Sequence, residues 1–174
     1  MDVIICDIDG TVLDVEPRIA ASLVEIGVEY GGEAIRVSRT LPRHLRGPFY
    51  DAFLSNKHLH LDRPIAASID RIAALQQETG LPLVYLSGRL SGMEAATRHA
   101  LEAIGLPFEA MVLKPQRERM RGTAAWKVAA IRDHGYEPLH ILDDDAEVLA
   151  ALGLAFPAAK LYDLNGARTV PGGG

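Results

Sequence analysis

The chain has 174 residues, of which 48% are hydrophobic and 24% charged, and its formal net charge is −5 at pH 7. The negative charge argues against a protein that coats nucleic acid, and no apolar run approaches the roughly 20 residues of a membrane span. A single cysteine, Cys6, excludes an internal disulfide and a cysteine-based zinc site. Because a core strand is predicted directly after Met1, we expect no signal peptide and a cytoplasmic location.

The first dozen residues predict a buried strand that ends in two carboxylates. Residues 3–6 are Val, Ile, Ile and Cys, which fits a strand buried on both faces. Asp7, Asp9 and Thr11 follow, with Gly10 as a turn signal. Alternate residues of a strand point to opposite faces, so the chain must bend at Gly10 before both carboxylates can serve one site. One carboxylate could then attack while its neighbour handles protons.

The rest of the chain alternates between helical and strand patterns. Apolar periodicity predicts helices over about 16–30, 44–54, 65–79, 94–104, 123–134 (with Thr123 as N-cap) and 147–152. Buried strands are predicted over 81–86, 108–113, 139–142 and 159–162, and residues 33–43 are predicted to be irregular. This alternation predicts an α/β fold, a three-layer Rossmann-like arrangement with helices on both faces of a parallel sheet.

Polar side chains follow three of the predicted strands. Asp7 and Asp9 follow the first strand, Ser87 the second, and Asp143 and Asp144 the fourth. Ligands of parallel sheets bind at the carboxyl ends of the strands. Crowded carboxylates call for shared protons or a bound cation, and their oxygens suit Mg²⁺. Asp7 could then attack a phosphorus atom, Asp9 could move the protons, and Ser87 could hold phosphoryl oxygens.

These residues, in this order, resemble those of the haloacid dehalogenase-like hydrolases. The segment 7–11, Asp-Ile-Asp-Gly-Thr, resembles the family's nucleophile motif, 86–87 its phosphate-binding motif and 141–144 its acidic metal motif. An Asp at position 9 is what the family's phosphatases have. The resemblance implies a phosphomonoester hydrolase that uses Mg²⁺ and an aspartyl-phosphate intermediate. The implied metal ligands are Asp7, Asp9, Asp143 and Asp144, while Asp145 is interpreted as a turn or helix cap.

The family's catalytic lysine has two candidates in this chain. Lys127 lies near the start of the helix that precedes the acidic strand, which resembles the family's pattern. Lys114 is followed by Pro115 but stands nine residues before Thr123. We therefore predict Asp7, Asp9 and Lys127 as the catalytic residues, with Lys114 as the alternative lysine.

A closer resemblance is to the phosphatase domain of bacteriophage polynucleotide kinase/phosphatases. Segments 47–51, 87–93 and 117–121 resemble it in order and type, although the chain contains no kinase P-loop. The resemblance implies a nucleotide or polynucleotide 3′-phosphate as substrate, with phosphate contacts at Arg46, Arg89, Arg117 and Arg121. A surface salt bridge is the alternative for Arg89, and solvated faces are the alternative for the basic stretches. The predicted substrate-binding residues are Thr11, Ser87, Gly88, Arg89 and Arg46.

About 50 residues between Asp14 and Pro64 exceed what the core fold requires. In this family an insert at that point is a cap, so we expect a small helical cap over 15–61, a core over 1–14 and 62–170, and a flexible tail over 171–174. A cap of this size leaves room for a phosphorylated small molecule, a nucleic-acid 3′ end or a partner subunit in a homo-oligomer. Two other functions stay open: a phosphotransferase, and a non-catalytic domain that binds a phosphorylated ligand.

Overall fold

Strands and helices alternate through residues 1–164, the part of the chain that the computed structural model describes. The strands are β1 (Asp2–Cys6), β2 (Leu13–Asp14), β3 (Arg63–Pro64), β4 (Leu83–Leu90), β5 (Ala110–Lys114), β6 (Glu137–Asp143) and β7 (Lys160–Asp163). The helices are α1 (Glu16–Glu25), α2 (Ala34–Arg39), α3 (Arg43–Phe53), α4 (Ala66–Thr79), α5 (Glu94–Ile104), α6 (Thr123–Asp133) and α7 (Ala146–Ala155).

Five of the strands form one parallel sheet in the order β5-β4-β1-β6-β7. Apolar side chains alternate between the two faces of the central strand: Ile4 and Cys6 join the core under α1, α4 and α5, and Val3 and Ile5 join the core under α6 and α7. This burial on both faces explains the unbroken apolar run of β1. The three-layer α/β fold predicted from the sequence is therefore confirmed.

The register of the central strands brings three carboxyl ends to one edge of the sheet. Cys6, the last residue of β1, is level with Tyr85 of β4 and Leu142 of β6. The backbone N–H of Asp7 continues the ladder and donates to the carbonyl of Leu142 at 2.9 Å. Residues that follow β1 and β6 are consequently neighbours in space.

An insert of helices α1, α2 and α3 and a 3₁₀ turn at Leu59–Leu61 separates β2 from β3. The two strands pair antiparallel, Leu13 with Pro64 and Asp14 with Arg63, so both ends of the insert meet at one place. Leu23 and Phe49 of the insert are buried in the same core cluster as the central strand. The division into a cap over 15–61 and a core over 1–14 and 62–170 stays a prediction, and the tail predicted over 171–174 lies outside the described residues.

Helix α2 forms where an irregular segment was predicted. Its N-cap residue, Glu33, makes no side-chain capping bond. The carboxylate of Glu16 on α1 instead accepts from the backbone N–H of Ile35 at 3.1–3.2 Å. A cap supplied by another helix leaves no local sequence signal.

Two helix termini also differ from the prediction. Helix α1 ends five residues earlier than expected because Gly27 adopts the left-handed backbone conformation, with φ of 73°. Thr123 is the first residue of α6 rather than its cap, and Gly122 occupies the N-cap position without a side-chain bond.

Within residues 1–164, no helix has both the length and the apolar character needed to cross a membrane.

Candidate active site

Three carboxylates meet at the carboxyl edge of the sheet. Asp7 follows β1, Asp143 ends β6, and Asp144 comes next in the chain. One oxygen of each carboxylate lies within 4.8 Å of the others. Asp7 and Asp143 are buried, whereas Asp144 is half-buried and borders the cleft described below. The adjacency of two parallel strands therefore brings together three of the four aspartates that were predicted to bind metal.

Lys127 inserts its ammonium between two of these carboxylates. Its Nζ donates to Oδ1 of Asp7 and to Oδ2 of Asp143, at 2.6 Å each. Burial disfavours the ammonium charge, but Asp7 and Asp143 outweigh it and raise the pKa of Lys127 above its ordinary value. Lys127 is therefore a permanent positive charge at neutral pH, held against the predicted nucleophile.

Lys114, the alternative lysine, also borders the cleft described below but has a different partner. Its ammonium donates to the backbone carbonyl of Arg121 rather than to a carboxylate. Burial lowers the pKa of Lys114. Of the two candidates, the structure brings Lys127 to the acidic group.

The acidic group has the donor chemistry of a site for a hard divalent cation. Burial is the largest influence on Asp7 and raises its pKa well above the usual range; Lys127 opposes this effect, and Asp143 and Asp144 add to it. Hard oxygen donors of this kind suit Mg²⁺, and the charge of a divalent cation would favour the ionised form of Asp7 against its burial and against repulsion from Asp143 and Asp144. The residues present therefore fit the predicted metal.

Hydrogen bonds from the surrounding loops orient the acidic group. Thr11, predicted to bind substrate, donates its hydroxyl to Oδ1 of Asp144 at 3.4 Å. Asp143 accepts from the backbone N–H of Asp145 at 3.0 Å. Asp145 caps α7 through the N–H groups of Glu147 and Val148, at 2.9 and 3.3 Å. The interpretation of Asp145 as a helix cap is confirmed.

Asp9 belongs to a different set of charges, a buried quartet of two arginines and two aspartates. Arg18 of α1 donates to Oδ2 of Asp9 at 2.8 Å, and Arg89 of β4 donates to its Oδ1 at 2.7 Å. Asp62 joins the same two arginines, at 2.9 Å from Nε of Arg18 and 2.5 Å from NH2 of Arg89. The side chains of Arg18, Arg89 and Asp62 are 0–2% exposed, against 21% for Asp9.

The quartet bears on two predictions. Both carboxylate oxygens of Asp9 bind arginines, so its side chain lies outside the acidic group of Asp7, Asp143 and Asp144, and its role as a metal ligand stays a prediction. Arg89 was predicted to contact substrate, or else to form a surface salt bridge. It is 1% exposed, does not border the cleft, and donates to Asp9, Asp62 and Thr97.

Two members of the quartet, Arg18 and Asp62, were not singled out from the sequence. Arg18 adjoins Ile19 on the buried side of α1, and its guanidinium also lies 4.1 Å from the ring centre of Phe53. A basic residue in an amphipathic helix ordinarily faces solvent. No local signal therefore distinguishes Arg18 from an exposed arginine.

The two arginines make the carboxyl group of Asp9 a stronger acid than an ordinary aspartate. Burial by itself would raise its pKa, but Arg18 and Arg89 together lower the pKa of Asp9 to about 2. Asp62 behaves differently: burial raises its pKa, despite the opposing charges of the same two arginines. Asp9 is therefore held as a carboxylate in this arrangement.

Ser87 and Gly88 border the cleft from within β4. The strand continues to Leu90 instead of ending at residue 86 as predicted, and its pairing with β5 is irregular between Ser87 and Leu90. Ser87 is 1% exposed, and its hydroxyl accepts from the backbone N–H of Arg89 at 3.3 Å. A Cβ on Gly88 would stand 3.4 Å from Cγ2 of Thr123, an ordinary van der Waals distance, so β4 and the start of α6 lie side by side at the cleft.

A cleft of about 660 Å³ leads to the acidic group from between the sheet edge and the insert. Asp7, Asp144 and Lys127 line it together with basic and aromatic side chains, which are Arg39, Arg46, Lys114, Arg119, Arg121, Phe49, Tyr50 and Phe53. Arg46 also donates its Nε to the carbonyl of Leu41 at 3.0 Å. A space of this size accommodates a small organic molecule and exceeds the needs of a phosphoryl group alone.

Of the predicted phosphate contacts, Arg46 and Arg121 border this cleft, whereas Arg117 does not. Arg117 borders a separate cavity of about 350 Å³ together with Trp126. The structure thus does not bring Arg117 to the predicted site.

Solved structures with the same fold fall into two groups. A chain of the Pnkp1/Rnl/Hen1 complex matches with a TM-score of 0.62 at 14% identity, over 93% of this chain and 45% of that one. A haloacid dehalogenase-like family hydrolase from Streptococcus pneumoniae matches with a TM-score of 0.63 at 13% identity, over 91% of this chain and 82% of that one. A hydrolase from Pseudomonas syringae matches with a TM-score of 0.57 at 16% identity, over 98% of this chain and 87% of that one.

These likenesses establish the fold, which is that of the haloacid dehalogenase-like hydrolases, as the resemblance in sequence implied. The chain spans less than half the length of the Pnkp1/Rnl/Hen1 chains that it matches. No protein-family model and no curated protein sequence matches the chain.

Proposed function

We propose that this chain, which has the fold of the haloacid dehalogenase-like hydrolases, is a Mg²⁺-dependent phosphomonoester hydrolase that works through an aspartyl-phosphate. The observation that carries the proposal is the position of Asp7, at the floor of a cleft, bonded to Lys127 and grouped with Asp143 and Asp144. A carboxylate nucleophile beside a fixed cation and a cation-binding acidic group is an arrangement suited to an anionic phosphate ester.

In the first step an oxygen of Asp7 attacks the phosphorus atom of the substrate. A bond forms between that oxygen and phosphorus, and the bond between phosphorus and the leaving-group oxygen breaks. Asp9 is a carboxylate while both arginines hold it, so it first parts from one of them and takes up a proton from water. It then gives that proton to the leaving oxygen, which departs as an alcohol. Lys127 stabilises the negative charge around Asp7, while Ser87 and the amides that follow it hold the phosphoryl oxygens.

In the second step a water molecule attacks the phosphorus of the aspartyl-phosphate and gives a proton to Asp9. The acyl phosphate bond breaks, which releases inorganic phosphate and restores the Asp7 carboxylate. Asp9 must part from Arg18 or Arg89 to exchange these protons, since both of its oxygens are engaged in the arrangement described above. Mg²⁺, held by Asp7, Asp143 and Asp144, would supply positive charge that favours the ionised form of Asp7 and screens the approaching phosphate.

We further propose a nucleotide or a nucleic-acid 3′ end as the phosphorylated substrate. The basic and aromatic lining of the cleft supports this proposal, because phosphates and bases are recognised by such side chains. So does the shared fold of this chain and a protein of an RNA repair complex. The same likeness, to a chain solved within a complex, supports a partner protein as a neighbour at the cleft.

The proposal is tested with p-nitrophenyl phosphate in the presence and absence of Mg²⁺. We expect hydrolysis by the wild-type chain with Mg²⁺ and a loss of at least about 1,000-fold in Asp7→Asn. Asp145→Asn is the matched control, since this neighbouring aspartate caps a helix and asparagine caps equally well. Undiminished hydrolysis by Asp7→Asn would exclude the aspartyl-phosphate route. Transfer of the phosphoryl group to added alcohols or nucleosides would instead identify a phosphotransferase.

A further inference from the structure

An exposed ion pair bridges the mouth of the cleft. Arg119, in the segment between β5 and α6, places NH2 at 2.5 Å from Oδ1 of Asp51 on α3 of the insert. Arg119 lines the cleft, and 68 residues separate the two partners along the chain. The pair therefore joins the two sides of the entrance.

The side chains next to this pair also border the entrance. Tyr50 precedes Asp51, Met120 follows Arg119, and both line the cleft. Tyr50 is 48% exposed and Met120 is 93% exposed. Large apolar side chains at this degree of exposure, on both sides of a cleft, are typical of a surface that contacts a ligand.

The ion pair is easily exchanged. The side chain of Asp51 is 66% exposed and that of Arg119 is 28% exposed, so water and salt screen their attraction. A phosphate group can accept two hydrogen bonds from a guanidinium and carries more charge than a carboxylate. It can therefore displace Asp51 from Arg119 at little cost.

We propose that Arg119 binds a second phosphate group of the substrate, separate from the one that is hydrolysed, and that Asp51 occupies its guanidinium until substrate arrives. This inference rests on the proposed function, and it makes Arg119 a specificity-determining residue. The acidic group with Lys127 receives the scissile phosphate, and Arg119 at the mouth receives the other. The preferred substrate then carries two phosphates whose separation matches the distance from the acidic group to Arg119.

If Arg119 has this role, substitutions of the two partners of the ion pair should change the affinity for a bisphosphate in opposite directions. Asp51→Asn removes the competitor of the second phosphate, so binding of a bisphosphate should tighten. Arg119→Gln removes the receptor, so binding should weaken. A pair that served to hold the insert against the core would give the same sign for both substitutions, because each breaks the same contact.

The experiment compares adenosine 3′,5′-bisphosphate with adenosine 3′-monophosphate at low ionic strength. The quantity measured is the ratio of KM for the monophosphate to KM for the bisphosphate. We expect this ratio to rise about threefold in Asp51→Asn and to fall about tenfold in Arg119→Gln. The control is Arg36→Gln, which breaks an exposed ion pair with Glu33 in the insert, neither of whose residues borders the cleft; the ratio should not change.

The corresponding ratio of equilibrium dissociation constants, monophosphate over bisphosphate, is also measured in the Asp7→Asn background, where binding does not depend on turnover. Hydrolysis of p-nitrophenyl phosphate by the wild-type chain reports separately on the proposed function. If Asp51→Asn and Arg119→Gln change the ratio in the same direction, or if neither changes it, the role of Arg119 is overturned even if the chain is an active phosphatase.

Discussion

Lys127 lies 2.6 Å from Asp7, although 120 residues separate them in the chain. The contact depends on two parallel strands in register and on a helix that delivers a buried ammonium to their ends. It makes the lysine both a stabilising element of the fold and a participant in the proposed chemistry.

Replacement of Lys127 by Met should reduce both stability and activity. Asp7 and Asp143 would be left buried without their shared cation, which typically costs about 3–5 kcal/mol. The rate of p-nitrophenyl phosphate hydrolysis should fall by about 100-fold or more. Urea unfolding and steady-state kinetics measure the two effects. Lys114→Met is the comparison, because that ammonium bonds to a backbone carbonyl. Equal losses of activity in both variants would contradict the assignment of Lys127.

Mg²⁺ should raise the thermal unfolding temperature by binding the acidic group. A ligand at 100 times its dissociation constant stabilises the folded state by about 2.7 kcal/mol. Asp144→Asn should weaken this response, because it removes one of three grouped carboxylates. Asp145→Asn should leave the response intact, since Asp145 caps α7. Differential scanning fluorimetry over a series of Mg²⁺ concentrations measures the rise in unfolding temperature for each variant. The same rise in Asp144→Asn and Asp145→Asn would argue against the proposed ligands.

Asp9 should make the fold sensitive to strong acid. Arg18 and Arg89 lower its pKa to about 2, so its stabilising contribution is present above the ordinary pKa near 4 and is lost as the pH falls through about 2. The shift corresponds to about 2 kcal/mol at neutral pH. Asp9→Asn lacks this contribution.

Urea unfolding at pH 6, 4 and 2.5 measures the difference in stability between the wild type and Asp9→Asn. The difference should be largest at pH 6 and should shrink as the pH falls. Asp62, whose pKa burial raises, is present in both proteins, so its opposite contribution largely cancels. A difference that stays constant over this range would show that Asp9 does not titrate as described.

Arg18→Gln should impair the proposed proton transfer through the position of Asp9. Loss of one arginine frees Oδ2 of Asp9 and raises the pKa of its carboxyl. When kcat is measured as a function of pH, the acidic limb of the curve should therefore move to higher pH. KM should change little. The substitution should also destabilise the fold by about 3–5 kcal/mol, because Asp9 and Asp62 lose a buried partner.

The double variant Arg18→Gln with Asp62→Asn separates these effects. Removal of both partners should cost less than the sum of the two single substitutions, because the partners interact directly. Strict additivity of the free energies of unfolding would contradict the coupling.

The features that were predicted correctly depend on local sequence patterns. An apolar run followed by Asp7 identified the central strand, and parallel topology then placed Asp143 and Asp144 beside it. Lys127 was favoured over Lys114 because its place near the start of the helix before the acidic strand resembles the family's pattern. The inferences on the strand and the carboxylates used residues close together in the chain and one general rule of sheet architecture.

The features that were missed or wrong depend on partners distant in the chain. Arg89 was interpreted as a substrate contact because segment 87–93 resembles a phosphatase domain, but its neighbours are Asp9 and Asp62, at separations of 80 and 27 residues. The N-terminus of α2 is satisfied by Glu16, from another helix. Periodicity contains no information about which remote side chain will neutralise a buried charge or accept from an unpaired N–H.

The short ladder of β2 and β3 has an evolutionary consequence. It brings the two ends of the insert together, and beneath it Arg18 and Asp62 hold the carboxylate of Asp9 in place. Both ends of the stretch over 19–61 thus join the rest of the chain at the same place. A foreign sequence grafted there, with apolar side chains to replace Leu23 and Phe49, would change what the cleft admits while the reacting groups keep their positions.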